Sequence, residues 1–278
     1  MKTLIVFDFD GTLTDIWQGP FTENYQRDLI LLLIRTVDQK AVEQALQEAK
    51  KKIAANPDKY GWLYQGKIVA PANADPYLLM NTAASLVFDS FDIFRSPDDR
   101  KCVLDFLFFE NYAASPTKFR PEAPAILNQL LKDPESIVRF VTNSNTDEVV
   151  SRLICTLNLD LIENLHGLVI GSAKKNVIGS EPASTPETFA IPGLERFVYP
   201  RRSNYYRVLA ELCKQLKVSW QNMVVVGDSL ELDLLLPFLL GASVILVANG
   251  HTPKYEIEFI NAQPKRGRVV NFLSEIVD

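Results

Sequence analysis

The sequence predicts an α/β fold: a doubly wound, mostly parallel sheet with helices on both faces and an α-helical domain inserted near its start. Three observations carry this. Short apolar runs ending in acids, small polar residues or glycine recur at Thr3–Phe7, Ile137–Thr142, Met223–Gly227 and Ser243–Ala248. Helix-period segments separate the later runs, and alternation of this kind builds a parallel sheet. Between the first run and the second lie over a hundred residues with almost no strand signal.

Thr3–Phe7 is apolar without alternation, as a strand covered on both faces must be. Leu168–Gly171 reads as a weaker fifth strand. The helices of the core are expected at Pro121–Leu131, Asp147–Leu157, Asn204–Leu216 and Leu230–Leu240. Within the insertion, Ala41, Val42, Ala45, Leu46, Ala49 and Ile53 follow a helical period. Asp75-Pro76 and Ser96-Pro97 each join a capping side chain to a proline, and predict helices over Tyr77–Phe88 and Cys102–Tyr112. Gly61–Tyr64 and Pro71–Pro76 read as loops between them. The expected division is a core of residues 1–15 and 119–278 and a helical cap of residues 16–118. After Gly171 about thirty residues pass before the next helix, a length that in a compact domain points to function.

A chain of 278 residues has room for one large domain or two modest ones. Its 47% apolar and 23% charged residues are those of a soluble globular protein. Net charge is −5 with no long basic run, which argues against a nucleic-acid partner. Cys102, Cys155 and Cys213 are odd in number and far apart, which reads as reduced thiols in a cytoplasmic protein. The longest apolar run, Leu29–Ile34, is too short to span a bilayer, and no leader pattern opens the chain. No membrane association is expected.

The chemistry concentrates where strands end. Asp8 and Asp10 follow a buried strand, where unpaired carboxylates cost several kcal/mol. A hard cation with a preference for oxygen ligands would compensate them. Gly11 permits a sharp turn after the acids, and Thr12 offers a hydroxyl and an amide to an anion. The second run ends in Thr142-Asn143-Ser144-Asn145, which can present a hydroxyl and backbone amides to a phosphoryl oxygen, or can simply cap the next helix. The third ends in Gly227-Asp228-Ser229 with Asp233 one turn further on, suited to a cation or again to capping. Carboxyl ends of parallel strands form the ligand crevice of such sheets.

These residues resemble the haloacid-dehalogenase-like superfamily of phosphohydrolases, in particular members with a helical cap after the first strand. Asp8-Phe-Asp-Gly-Thr-Leu-Thr14 is similar to the first family motif, Val141-Thr-Asn-Ser144 to the second, and Val226-Gly-Asp-Ser229 with Asp233 to the fourth. The resemblance implies a Rossmann-like core and hydrolysis of a small phosphorylated metabolite. Asp8 would attack phosphorus to form an aspartyl-phosphate, and Asp10 would serve as general acid and then base. Magnesium would be held by Asp8, the backbone carbonyl of Asp10 and Asp228, with Asp233 in support. Thr142, Asn143, Gly11 and Thr12 would bind phosphate. Asp10 argues against dehalogenation, because family members with that activity lack the second aspartate.

One motif departs from the pattern. The family expects a lysine about thirty residues before the fourth motif, and here Tyr199-Pro-Arg-Arg-Ser203 stands in that region. Arg201 or Arg202 would supply the missing charge by gripping phosphate with a planar fork; Lys174 or Lys175 are the alternatives. A phosphotransferase or phosphomutase with the same intermediate remains an alternative reading, as does a weakly catalytic member that binds a ligand.

Overall fold

The computed structural model describes residues 2–115, 118–156 and 165–277. In chain order, β1 (Thr3–Phe7) is followed by a two-residue strand β2 (Thr14–Asp15), then α1 (Phe21–Leu33) and α2 (Gln39–Ala54). A hairpin of β3 (Gly61–Tyr64) and β4 (Lys67–Pro71) precedes α3 (Pro76–Phe91) and α4 (Pro97–Ala113). The short β5 (Lys118–Phe119) leads to α5 (Ala123–Lys132), β6 (Ser136–Val141), α6 (Thr146–Thr156) and β7 (Val169–Ile170). Then come α7 (Ser203–Leu216), β8 (Met223–Gly227), α8 (Leu235–Leu240), β9 (Ser243–Val247), α9 (Lys254–Asn261) and β10 (Gly267–Val270). Leu157, the expected end of the helix after the second strand, lies outside the described residues.

Two compact units result. One comprises Met1–Asp15, Tyr64–Ala70 and Phe119–Asp278; the other comprises Ile16–Leu63 and Pro71–Lys118. The first unit is built on a six-stranded parallel sheet of order β10-β9-β8-β1-β6-β7. Successive residues of β1 serve opposite faces: Leu4 and Val6 join one buried apolar cluster, Ile5 and Phe7 the other. Two-sided burial is why the run shows no alternation. The sixth strand, β10, is an edge element that sequence patterning does not single out.

β1 lies between β6 and β8, with Phe7 level with Phe140 on one side and Val226 on the other. Chain order reverses at β1, so the crevice that parallel sheets use for ligands opens beyond Phe7, Val141 and Gly227. The residue pairs in register there place Asp8, Thr142 and Asp228 at three adjacent strand ends.

The helical unit has its own core. Val42, Leu46, Ala49 and Ile53 of α2 are buried together with Tyr25, Leu29, Met80, Val87 and Phe88, each large side chain contributing roughly 1.5–3 kcal/mol. The predicted starts hold: Asp75 accepts from the amides of Tyr77 and Leu78, and Ser96 from that of Asp99, while Pro76 and Pro97 occupy the first turns, where no N–H is needed.

Three local expectations change. Gly61–Tyr64 is a strand, not a loop, because Gln65 (φ 50°) and Gly66 (φ 74°) take the two left-handed positions of a tight hairpin turn. Leu230–Leu240 is not one α-helix but a π-helical turn, Leu230–Leu234, running into α8. The long stretch after Gly171 contains no helix before α7, yet it is no open loop. Phe189 and Val198 exchange backbone hydrogen bonds of 2.9 Å, and Ile191, Leu194 and Val198 pack into the main core.

Candidate active site

Asp8 continues β1 past its last paired residue, its amide still bonded to the Val226 carbonyl at 2.9 Å. Gly11 follows at φ 81°, and this glycine is required twice over. A side chain there would strain the left-handed backbone, and its Cβ would fall 1.9 Å from a carboxylate oxygen of Asp228. Gly227 does the same for Asp233, whose Cβ would meet an added one at 2.5 Å. Two glycines thus make the space in which the acids converge. Ligand atoms of Asp8, Asp228 and Asp233 lie within 4.8 Å of one another.

Asp233 sits on the π-helical turn and accepts from the Ser229 amide at 3.2 Å. Its own carbonyl faces a gap in the backbone ladder, because Pro237 one turn on has no N–H. The buried Tyr205 hydroxyl fills that gap, donating to the Asp233 carbonyl at 3.0 Å.

The cation beside these acids is Lys175. Its ammonium donates to Asp8 and Asp233, both at 2.7 Å, and lies 5.3 Å from the centre of the Tyr205 ring. The side chain is almost wholly buried. Its loop leaves β7 through Gly171, whose added Cβ would fall 2.4 Å from the Thr146 amide, and through Ser172 and Lys174, both at positive φ. The Ala173 amide bonds the Thr142 carbonyl, and the Lys175 amide bonds the Asn143 side-chain oxygen at 2.8 Å. Asn143 therefore orients the lysine.

Electrostatics follow from burial. Desolvation pushes Asp8 up to about 7, against the opposing charge of Lys175 and with a further rise from Asp233. Burial alone would lower Lys175, but the charges of Asp233 and Asp8 outweigh it and hold the ammonium above its ordinary value. The cluster sets three carboxyl groups against one ammonium, a surplus of acids over cations. That surplus, the oxygen donors and the space kept by Gly11 and Gly227 fit a hard divalent cation.

Asp10 is set apart from this cluster. The Ser144 hydroxyl donates to its carboxylate, and an Arg152 guanidinium nitrogen lies 3.6 Å away. Burial raises its pKa, opposed by that hydrogen bond and by Arg152. The Asp10 carboxylate is not part of the cluster formed by Asp8, Asp228 and Asp233, and the ligand expected of Asp10 is its backbone carbonyl. Thr12 donates to Asp8 at 3.3 Å. The buried Thr142 hydroxyl accepts from the Ser144 amide at 3.1 Å and can still donate outward.

Arg201 and Arg202, the cations expected at the phosphate, are not brought to Asp8. Arg201 pairs with Glu187 and donates to the Thr185 carbonyl. Arg202 is buried among backbone carbonyls of Val69, Asn176 and Glu231. Arg201 is thus engaged by the stretch 185–187, and Arg202 by Asn176, Val69 and Glu231. The place just beyond the weak strand β7, at the same carboxyl edge as the acids, favours Lys174 and Lys175 over the arginines, and the fold decides between the two lysines. The sequence places Ser144 in a turn that either faces phosphate or caps the next helix, not beside Asp10, and it does not point to Arg152 or Tyr205.

His166 and His251 are exposed and have no place in this cluster. A cavity of about 490 Å³ lies toward the amino ends of the strands, lined by Ile5, Val244, Arg266 and Arg268 among others, and contains none of these acids. Among the described residues no helix is long and apolar enough to cross a membrane.

Comparison with known proteins agrees with this arrangement. A family model described as haloacid dehalogenase-like hydrolase matches residues 2–236, and a related HAD-like hydrolase model matches residues 203–276. No curated protein matches the chain. Among solved structures, a putative haloacid dehalogenase-like hydrolase from Bacteroides fragilis is 15% identical with a TM-score of 0.50, over 99% of this chain and 100% of its own. A predicted phosphoglycolate phosphatase from Haemophilus somnus is 18% identical with a TM-score of 0.50, over 99% and 96%. A 2-haloacid dehalogenase from Pseudomonas syringae is 14% identical with a TM-score of 0.44, over 100% and 97%. At these identities the structural likeness concerns the fold alone. The family model covers most of the chain, from the first strand to the turn that bears Asp233, and on that match the protein belongs to the haloacid dehalogenase-like hydrolases.

Proposed function

We propose that the protein is a magnesium-dependent phosphohydrolase that cleaves a small phosphomonoester through an aspartyl-phosphate on Asp8. The observation that carries this is the pairing of roles at two carboxylates two residues apart. Asp8 is bonded to the Lys175 ammonium, whereas Asp10 is turned to Ser144 and Arg152. One acid is paired with a buried ammonium inside the cluster, and the other stands outside it, placed to move protons.

In the first step a carboxylate oxygen of Asp8 attacks phosphorus as the bond to the leaving oxygen breaks, and protonated Asp10 delivers its proton to that oxygen. In the second, Asp10 takes a proton from water as the water oxygen attacks phosphorus. The bond from phosphorus to Asp8 breaks, freeing phosphate and restoring the carboxylate. Lys175 neutralises charge on Asp8 and the phosphoryl oxygens, and Thr12 fixes the attacking carboxylate. Thr142 and the backbone that follows it are placed to donate to a phosphoryl oxygen. Magnesium, held by Asp8, Asp228 and the Asp10 carbonyl with Asp233 behind, would supply further charge neutralisation.

A haloacid substrate would use the Asp8 carboxylate in the same way but has no use for Asp10, which is the residue that favours phosphate esters. The two readings separate in one assay. Phosphate release from an aryl phosphate is expected with magnesium and lost in Asp8→Asn or in chelator. Halide release from a 2-haloacid with no phosphate release would overturn the proposal.

A further inference from the structure

Arg202 is among the largest fully buried side chains in the protein, at 1% exposure, and the chemistry above does not use it. Its guanidinium donates to three carbonyls: Asn176 at 3.3 Å, Val69 at 2.8 Å and Glu231 at 3.4 Å, while its Nε has no partner. It forms no direct ion pair among the described residues, because the Glu231 carboxylate is gripped by Arg196 at 2.9 and 2.5 Å. Burial accordingly lowers it to about 10, partly offset by Glu231. Filling this volume with a charge is costly, and an apolar side chain would fill it more cheaply.

The positions of the three carbonyls give the charge a purpose. Asn176 follows Lys175 directly, and Glu231 stands two residues before Asp233 on the π-helical turn. These are the two segments whose side chains meet in the 2.7 Å contact between Lys175 and Asp233. The third, Val69, belongs to β4, in the stretch Tyr64–Ala70 where the chain rejoins the α/β unit between two passages through the helical one. A planar fork holds the three backbones from two nitrogens at a fixed spacing, which the single nitrogen of a lysine cannot reproduce.

We propose that Arg202 is a positioning residue: it clamps the Lys175 loop to the Asp233 turn, and so sets the ammonium between Asp8 and Asp233. In catalysis it acts through Lys175, and that part rests on the phosphohydrolase reading. The clamp itself does not.

The experiment compares Arg202→Gln and Arg202→Lys with the wild-type protein and with Arg207→Gln, a surface control. Acetic anhydride labelling, read by mass spectrometry, reports access to Lys175 against its exposed neighbour Lys174. The expected result is several-fold faster labelling of Lys175 in Arg202→Gln, an intermediate rate in Arg202→Lys and no change at Lys174. With an aryl phosphate, kcat falls by about 10–100-fold while KM stays within a few-fold, as for supporting residues around metal ligands. Where the Gln variant does not fold, the Lys variant carries the test. Wild-type labelling of Lys175 in a folded Arg202 variant overturns the clamp. So does acceleration at all lysines together, which marks general loosening. If the wild-type protein releases no phosphate, the phosphohydrolase reading fails and the labelling comparison still decides on Arg202.

Discussion

Lys175 and Asp8 stand 167 residues apart in the chain and 2.7 Å apart in space. The same ammonium reaches Asp233, so one cation holds together the acid that ends β1 and an acid on the turn that follows β8. Removing it leaves two buried carboxylates facing each other, and breaking a buried pair in this way costs roughly 3–5 kcal/mol. Lys175→Met is therefore expected to be destabilised and to lose phosphate release by at least about 100-fold, as expected for a buried group that neutralises transition-state charge. A divalent cation then has more repulsion to relieve, so magnesium should raise the melting temperature of Lys175→Met more than that of the wild-type protein. Thermal scans with and without magnesium measure this, and an equal rise in both would contradict the assignment.

Gly11→Ala tests the space rather than the charge. An alanine at φ 81° pays about 1–2 kcal/mol for the left-handed backbone. Its methyl carbon would also have to occupy the position 1.9 Å from an Asp228 oxygen, so the carboxylate must move. The expected outcome is a higher magnesium concentration for half-maximal activity. Gly19→Ala, where an added Cβ approaches nothing closer than 3.9 Å, should leave that concentration unchanged.

The acids of the site were legible in the sequence because each follows an apolar run that can only be a buried strand. Three adjacent ends of a parallel sheet must then share one crevice. Lys175 was harder to choose, since two lysines and two arginines lay near enough in the chain to serve. The choice between them depends on Ser172 and Lys174 at positive φ, and on the Asn143 side chain that takes the Lys175 amide. None of these leaves a mark in composition or period. The hairpin β3–β4 was missed for a related reason: four or five residues on each side are too few for alternation to declare itself. The split of Leu230–Leu240 into a π-helical turn and α8 has one mark in the sequence, Pro237, while the Tyr205 hydroxyl that takes the freed Asp233 carbonyl comes from α7 and has none.

Ser144→Ala should change how activity depends on pH. The hydroxyl's hydrogen bond favours the ionised form of Asp10, against the burial that raises its pKa. Deleting it removes a lowering influence, so Asp10 in the variant holds its proton to higher pH. Asp10 must be ionised to take a proton from water in the second step, so the acid limb of the kcat profile moves toward higher pH. Substrates with good leaving groups, for which the second step limits turnover, show this most directly. A limb that stays in place or moves toward lower pH would remove Asp10 from the role of base.

Glu256 gives a prediction about stability that is independent of catalysis. Its carboxyl is fully buried beside Glu231 and Asp233, accepting from the Leu230 amide at 2.8 Å and from the Tyr255 hydroxyl at 3.3 Å. Burial pushes it from its ordinary 4.5 up to about 8, the Glu231 charge adding and the two hydrogen bonds opposing. Between those two values the folded chain keeps a proton on Glu256 that the unfolded chain has released. Stability from this group is therefore fully present below pH 4.5 and is lost as pH rises toward 8, at up to about 1.4 kcal/mol per pH unit. Glu256→Gln fixes the side chain in a neutral form of the same shape. The variant should match the wild-type protein in denaturant unfolding near the acid end of this range and become progressively the more stable of the two toward its alkaline end. Parallel stability curves across the range would mean that Glu256 is ionised in the fold, and that Arg196 or Arg202 supplies more of its compensation than their contacts with Glu231 indicate.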